Sequence, residues 1–214
     1  MNQTVAVNII VRNESKRLKI LFPVIRDFFD EIVVVDQEST DDTVELCEHW
    51  ADKIIPDEAT GNADTSRQLA MDNTDSDWIL TLDADEFITN RLSQTIPKLI
   101  EVPDYIDGYM MNWCCIIIED DQPYDLSSYL RYGELMGDIT HDSWPHRYRL
   151  YRNRPESIIL DKELHRALII PHMATIINLL YNAIIHVKTK AEHKIDADRY
   201  EAIEHGFYDK DKFI

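Results

Sequence analysis

Apolar and polar positions change rhythm along this chain, and each change marks an element. Val5-Ala6-Val7-Asn8-Ile9-Ile10-Val11 is a nearly unbroken apolar run that predicts a strand ending at Arg12-Asn13-Glu14. Leu18, Leu21, Ile25 and Phe28 follow at helical spacing, with Pro23 expected to kink that helix or end it early. Glu31-Ile32-Val33-Val34-Val35-Asp36 is β-branched without polar alternation, as a strand covered on both faces is. Ser39-Thr40-Asp41-Asp42 supplies cap chemistry for a helix carrying Val44, Cys47 and Trp50, with acids at the positive end of its dipole. Lys53-Ile54-Ile55 predicts a short strand stopped by Pro56, and after a polar loop around Gly61, Asp64 is placed to cap a helix through Arg67 and Leu69. Trp78-Ile79-Leu80-Thr81-Leu82 predicts a strand running into Asp83. The alternation is that of βα units around a mostly parallel sheet, an α/β fold.

Beyond Gly108 the rhythm is less regular. Strands are expected at 109–118 and 147–151, a polar loop over 120–142, and a closing helix over 195–205 with Gly206 as its stop. The apolar stretch 174–185 is too short to span a bilayer as a helix and reads as a buried helix or strand that leaves room for peripheral membrane contact. The chain is expected to form one domain, 1–214, with a regular half (1–107) and an irregular half (108–214).

Composition narrows the function. The 214 residues are 44% hydrophobic, enough for a real core. Forty acidic against 22 basic residues leave a net charge of -18, which repels nucleic-acid backbones and anionic lipid and argues against nucleic acid as a partner. Cys47, Cys114 and Cys115 form neither a disulfide framework nor a metal-ligand spacing, so buried thiols are expected. The N-terminus carries no basic flank with an apolar run, and a soluble, cytoplasmic protein is the expectation.

The acids are informative because of where they fall. In an open α/β sheet, ligands bind outside the carboxyl ends of the strands, where Glu14, Asp36 and Asp83-Ala84-Asp85 are predicted to converge. If the last segment is extended, Asp83 and Asp85 point the same way and offer two hard oxygen ligands to Mn²⁺ or Mg²⁺, leaving further positions for phosphate oxygens. Such an Asp-x-Asp is weak evidence in an acidic chain; its position after a buried strand strengthens it.

Four ordered blocks carry a family resemblance: Val11-Arg12-Asn13-Glu14; Asp30 to Asp36 with Ser39-Thr40-Asp41-Asp42-Thr43; Arg67; and Asp77-Trp78-Ile79-Leu80-Thr81-Leu82-Asp83-Ala84-Asp85-Glu86. Together they resemble family 2 glycosyltransferases of the GT-A fold, most nearly the small bacterial lipopolysaccharide-core type. The resemblance implies transfer of a sugar, with inversion, from a nucleotide-diphospho-sugar to a hydroxyl of a glycan, lipid-linked or protein acceptor. It divides the chain into a nucleotide-sugar-binding half and an acceptor-binding half. Val11, Arg12, Asn13, Glu14, Asp36 and Ser39 are implied to line the base and ribose site, Arg67 to lie near the phosphates, and Asp83 and Ala84 to meet the donor. Asp83 and Asp85 are implied to hold the cation, with His186 completing its shell. Late blocks at Trp144-Pro145, Arg149 to Arg152, Leu164-His165 and Ile184-Ile185-His186 match more loosely.

The departures also matter. Gln37, Glu38 and Asp42 stand where relatives carry small residues or glycine, and Gln68 where asparagine is common. Arg166 follows His165 where glutamate is common in the family; if that glutamate is the base or orients the acceptor, its role must pass to another acid, such as Glu163 or Asp142, or the enzyme is impaired. The catalytic candidates are therefore Glu163, Asp142 and His165, with the choice open. Two alternatives remain: a sugar-phosphate nucleotidyltransferase, disfavoured by only five glycines and no glycine-rich phosphate loop, and a nucleotide-sugar-binding module that has lost its base. Arg149 and Arg152 read either as phosphate contacts or as solvated residues on an edge strand.

Overall fold

A computed structural model of the chain describes residues 3–60, 62–120, 147–154 and 175–204. In chain order the elements are β1 (Val5–Val11), α1 (Ser15–Ile25), β2 (Glu31–Asp36), α2 (Thr43–Trp50), β3 (Lys53–Pro56), a 3₁₀ turn (Ala63–Ser66), α3 (Arg67–Asp72), β4 (Trp78–Asp83), β5 (Glu86–Ile88), α4 (Asn90–Ile100), β6 (Ile106–Ile118), β7 (Arg147–Arg152), β8 (Thr175–Thr189) and α5 (Lys190–Glu204). The described strands form one eight-stranded sheet in the order β3-β2-β1-β4-β7-β6-β8-β5. The pairings β3–β2, β2–β1 and β1–β4 are parallel, as is β6–β8, whereas β7 and β5 run antiparallel to their neighbours.

β1 and β2 are buried at every position because both sheet faces are covered. On one face, Val5, Val7, Ile9, Val11, Ile32 and Val34 pack with Leu18, Leu21, Phe22 and Ile25 of α1 and with Cys47 of α2. The Phe22 and Trp50 rings stack at 6.4 Å and join those two helices. On the other face, Ile10 and Val35 pack under Ala70 of α3. Leu92, Ile96 and Ile100 of α4 join the same core as Phe87, Ile184, Ile185 and Val187, which extends it beneath β5 and β8.

Several local expectations change. α1 runs past Pro23 to Ile25, because the ring sits on the exposed side and the carbonyl it leaves unpaired belongs to exposed Lys19; Phe28 lies beyond the helix. The turn before α3 is capped by Asn62, whose side chain accepts from the Asp64 N–H, and not by Asp64, which faces Arg67. The apolar stretch near 174–185 is strand β8, and the closing helix starts at Lys190. Arg149 and Arg152 are not on an edge: β7 lies between β4 and β6, and both residues are buried. Arg152 donates to the carbonyls of Val102, Pro103 and Ile106 and stacks over Trp78, a structural role at the end of the sheet away from Asp83. No helix among the described residues is long and apolar enough to cross a membrane.

Candidate active site

β2, β1 and β4 are adjacent and parallel, so their carboxyl ends form one rim. Val11 of β1 stands opposite Asp36 and Ile10 opposite Asp83, which sets the two aspartates on either side of the β1 terminus. Beyond Val11 the chain turns through Asn13, at φ 56°, a left-handed conformation that asparagine tolerates better than most residues. Asn13 then laces the first two loops together. Its N–H donates to Ser39 Oγ at 2.9 Å, and its Oδ1 accepts from the Thr40 N–H at 2.7 Å. The Ser39 N–H donates to Asp36 Oδ2 at 3.2 Å, and the Glu14 N–H to Thr43 Oγ1 at 2.8 Å. Among the described residues, Asp36 Oδ1 is buried without a hydrogen-bond partner, which leaves it an acceptor with unused capacity.

Across the rim, Arg67 at the start of α3 is buried between two acids. Its Nε donates to Asp64 Oδ1 and its Nη2 to Asp83 Oδ1, each at 2.7 Å, while Nη1 is buried with no hydrogen-bond partner among the described residues. Arg149 of β7 is hydrogen-bonded to Glu86 and lies 3.9 Å from Asp83. Although burial alone raises a carboxyl, these two guanidiniums hold Asp83 well below the ordinary carboxylate range. Glu86 also accepts from the Asp83 N–H at 2.9 Å and so closes the turn after β4. Burial pushes the Glu86 carboxyl up, against the pull of Arg149.

That turn alters the expected geometry of the aspartate pair. Ala84 and Asp85 lie in a turn and not in an extended segment, so the alternation argument does not apply to them. Asp83 faces arginines, whereas Asp85 faces β8. The pairing of β5 with β8 sets Glu86 opposite His186 and brings His186 Nε2 to 2.8 Å from Asp85 Oδ2. Lys188 Nζ lies 3.4 Å from the same oxygen. Burial opposes its charge, but His186 and then Lys188 hold Asp85 well below the usual carboxylate value.

The rim is completed by Glu14 and Arg17 of the first loop and helix. Arg17 Nη1 bonds Glu14 at 2.6 Å, and its Nη2 bonds Glu192 of α5 at 2.8 Å. Burial pushes the Glu14 carboxyl up to about 7 against the pull of Arg17, with Asp85 adding to the rise.

Thus the structure brings Val11, Arg12, Asn13, Glu14, Asp36, Ser39, Arg67, Asp83, Ala84, Asp85 and His186 to one end of the sheet. Glu163, Asp142 and His165, with Trp144 and Arg166, lie outside the described residues. Sequence reasoning missed Arg17, Glu86 and Lys188. Glu86 and Lys188 carried a usable signal, since each lies within two positions of a residue already singled out.

A metal fits this set in a particular way. Among the described residues no three His, Cys, Asp or Glu side chains are gathered closely enough to hold an ion by themselves. Asp85 and His186 are gathered, and Mg²⁺-type sites commonly combine one or two protein ligands with substrate phosphates. The donor set therefore suits a cation that arrives with a phosphorylated ligand.

Comparison with known proteins gives the family. The sequence profile of glycosyl transferase family 2 matches residues 6–154. The chain belongs to glycosyl transferase family 2. An uncharacterised glycosyltransferase of Rickettsia felis is 34% identical over 94 residues, 44% of this chain and 33% of that protein. The SPbeta prophage-derived glycosyltransferase SunS of Bacillus subtilis is 33% identical over 104 residues, 48% of this chain and 25% of SunS. The chain thus covers a third or less of either relative's length. Among solved structures, S. aureus TarS 1-349 in complex with UDP-GlcNAc aligns with a TM-score of 0.60 at 15% identity, over 94% of this chain and 66% of that one. Glucosyl-3-phosphoglycerate synthase from Mycobacterium tuberculosis, in complex with Mn²⁺, UDP and phosphoglyceric acid, aligns with a TM-score of 0.52 at 14% identity, over 94% and 76%. At these identities the likeness establishes the fold, which is α/β and GT-A-like with a mixed, mostly parallel sheet.

Proposed function

We propose that this chain transfers a sugar, with inversion, from a nucleotide-diphospho-sugar to an acceptor hydroxyl, assisted by Mn²⁺ or Mg²⁺. The observation that carries this reading is the arrangement at one sheet end: an unsatisfied Asp36 acceptor, an unsatisfied Arg67 donor and the Asp85–His186 pair. An acceptor atom beside the first loop suits a ribose hydroxyl or base N–H. A buried guanidinium edge suits a phosphate oxygen. Two fold relatives bind UDP-GlcNAc or UDP with Mn²⁺, which supports the same donor class here.

In this mechanism the acceptor oxygen attacks the anomeric carbon from the face opposite the leaving group. The bond to the diphosphate oxygen breaks with its electron pair, and the acceptor proton passes to a carboxylate, for which Glu163 and Asp142 are the candidates, with His165 nearby in sequence. Arg67 binds and orients the diphosphate, while Arg149 and Glu86 fix the Asp83 turn. A cation held by Asp85 and His186 would supply neutralisation of the charge that develops on the departing phosphate. The acceptor hydroxyl in this reading belongs to a glycan, a lipid-linked molecule or a protein, the acceptor classes that the family resemblance implies.

The test is nucleoside diphosphate release from a panel of nucleotide sugars, with Mn²⁺ and with chelator. Wild type is expected to depend on the cation, and Asp85→Ala to lose roughly a hundredfold or more in turnover. Pyrophosphate release from a nucleoside triphosphate, or full activity of Asp85→Ala under chelation, would overturn the proposal.

A further inference from the structure

We propose that Gln37 is a positioning residue for the donor diphosphate: its side chain ties the carboxyl end of β2 to the turn that leads into Arg67, and so sets where that guanidinium meets the phosphates. The inference rests on the nucleotide-sugar reading of the site and adds a residue which that reading does not use.

Gln37 lies one residue past β2, and its N–H donates to the Val11 carbonyl at 2.9 Å, which carries the β1–β2 pairing one step further. It stands two positions beyond Val35, which packs under Ala70 of α3, and its side chain leaves the sheet on that same side. There it is buried, with 4% of the residue exposed. Its Nε2 donates to Ser66 Oγ at 2.6 Å and to the Asn62 carbonyl at 3.3 Å. Ser66 Oγ in turn donates to Asp57 Oδ2 at 2.7 Å, and the Asp57 N–H donates to the Asp36 carbonyl at 2.9 Å. A ring therefore runs from Asp36 and Gln37 through Ser66 and Asp57 back to Asp36.

Ser66 immediately precedes Arg67, and Asp64 of the same turn accepts from Arg67 Nε. The turn thus orients the guanidinium from one side and Asp83 from the other. Asp83 is fixed by β4, whereas the turn is moored to β2 through Gln37. A guanidinium is a planar, directional fork, so a small swing of the turn carries its edge away from a phosphate oxygen. The Asp36 carboxylate, by contrast, is held by the Ser39 N–H and does not use the Gln37 amide. Loss of that amide is felt at the phosphates and not at the nucleoside.

Gln37→Met keeps much of the length and bulk and removes both N–H donations, with Gln37→Ala as a second variant should the first fail to fold. Ser66→Ala breaks the same link from its other end. A set of nucleoside diphosphates and their matching nucleosides is titrated calorimetrically with Mn²⁺ present. In Gln37→Met the preferred nucleoside diphosphate is expected to bind roughly tenfold more weakly, with its nucleoside unaffected. Ser66→Ala should show the same split, and the double variant should lose less than the sum of the two singles. Equal losses for nucleoside and nucleoside diphosphate, unchanged diphosphate affinity, additive losses, or failure of every variant to fold would overturn the proposal and leave Gln37 a residue of the fold alone. If wild type bound no nucleoside diphosphate, the donor reading would fall and this inference with it, a result distinct from any difference between variants.

Discussion

At the scale of single residues, Glu14 makes the sharpest statement. Its carboxyl ordinarily titrates at 4.5 and is pushed up to about 7 here, chiefly by burial. The folded state therefore binds this proton more tightly than the unfolded chain does. Its contribution to stability is complete below about pH 4.5 and is lost as pH rises through about 7. Denaturant unfolding of wild type and Glu14→Gln between those values should show wild type losing ground to the variant as pH rises. Parallel stability curves would contradict this. The position of Glu14 at a strand end was legible in the sequence because Val5 to Val11 so clearly forms a strand, but its titration was not, since Asp85 and Glu192 reach it only through the fold. Asp64 shows the opposite error: its place before an apolar turn suggested a cap, yet an acid beside a buried arginine is committed to that arginine, and Asn62 caps instead.

At the scale of elements, legibility followed burial pattern and chain distance. β1, β2 and β4 were readable because each is a compact apolar run ending in polar residues. β5 and α4 were not: β5 is three residues long, and α4 has Pro97 inside it and Thr89 as its cap. β7 was found as a strand, but its central place was hidden because its neighbours β4 and β6 lie far away in sequence, so Arg149 looked solvated. The close approach of β6 to β7 depends on Gly108, where an added Cβ would sit 2.8 Å from the Leu150 carbonyl oxygen and 3.2 Å from Tyr151 Cβ. The first of those atoms is backbone and cannot swing aside. Gly108→Ala is expected to destabilise by about 1–3 kcal/mol in equilibrium unfolding, and a variant as stable as wild type would show that the two strands can separate at little cost.

At the scale of the whole molecule, the charge of -18 works against the compact state. The ion pairs at the sheet end are buried and weakly screened, whereas repulsion among surface acids is screened with a Debye length of about 10 Å at 0.1 M salt. Moderate sodium chloride should therefore raise the thermal midpoint, because it weakens repulsion more than it weakens the buried pairs. A midpoint that falls steadily from low salt upward would mean that surface attraction dominates. The GT-A-like architecture was legible from the ordered blocks of the first half, while the second half yielded its strands without their order, since a sheet that mixes directions leaves no local mark of which strand lies beside which.

The order β2-β1-β4 has one more consequence. Neighbouring strands lie about 4.8 Å apart, so Asp36 at the end of β2 and Asp83 at the end of β4 are separated by about two strand widths, on the order of 10 Å. Backbone hydrogen bonding sets that span, and no side-chain rotation alters it. The sheet is a ruler: under the proposed function, a donor that reaches from the Asp36 end of this rim to the Asp83 end must match that span before any of its chemistry is read.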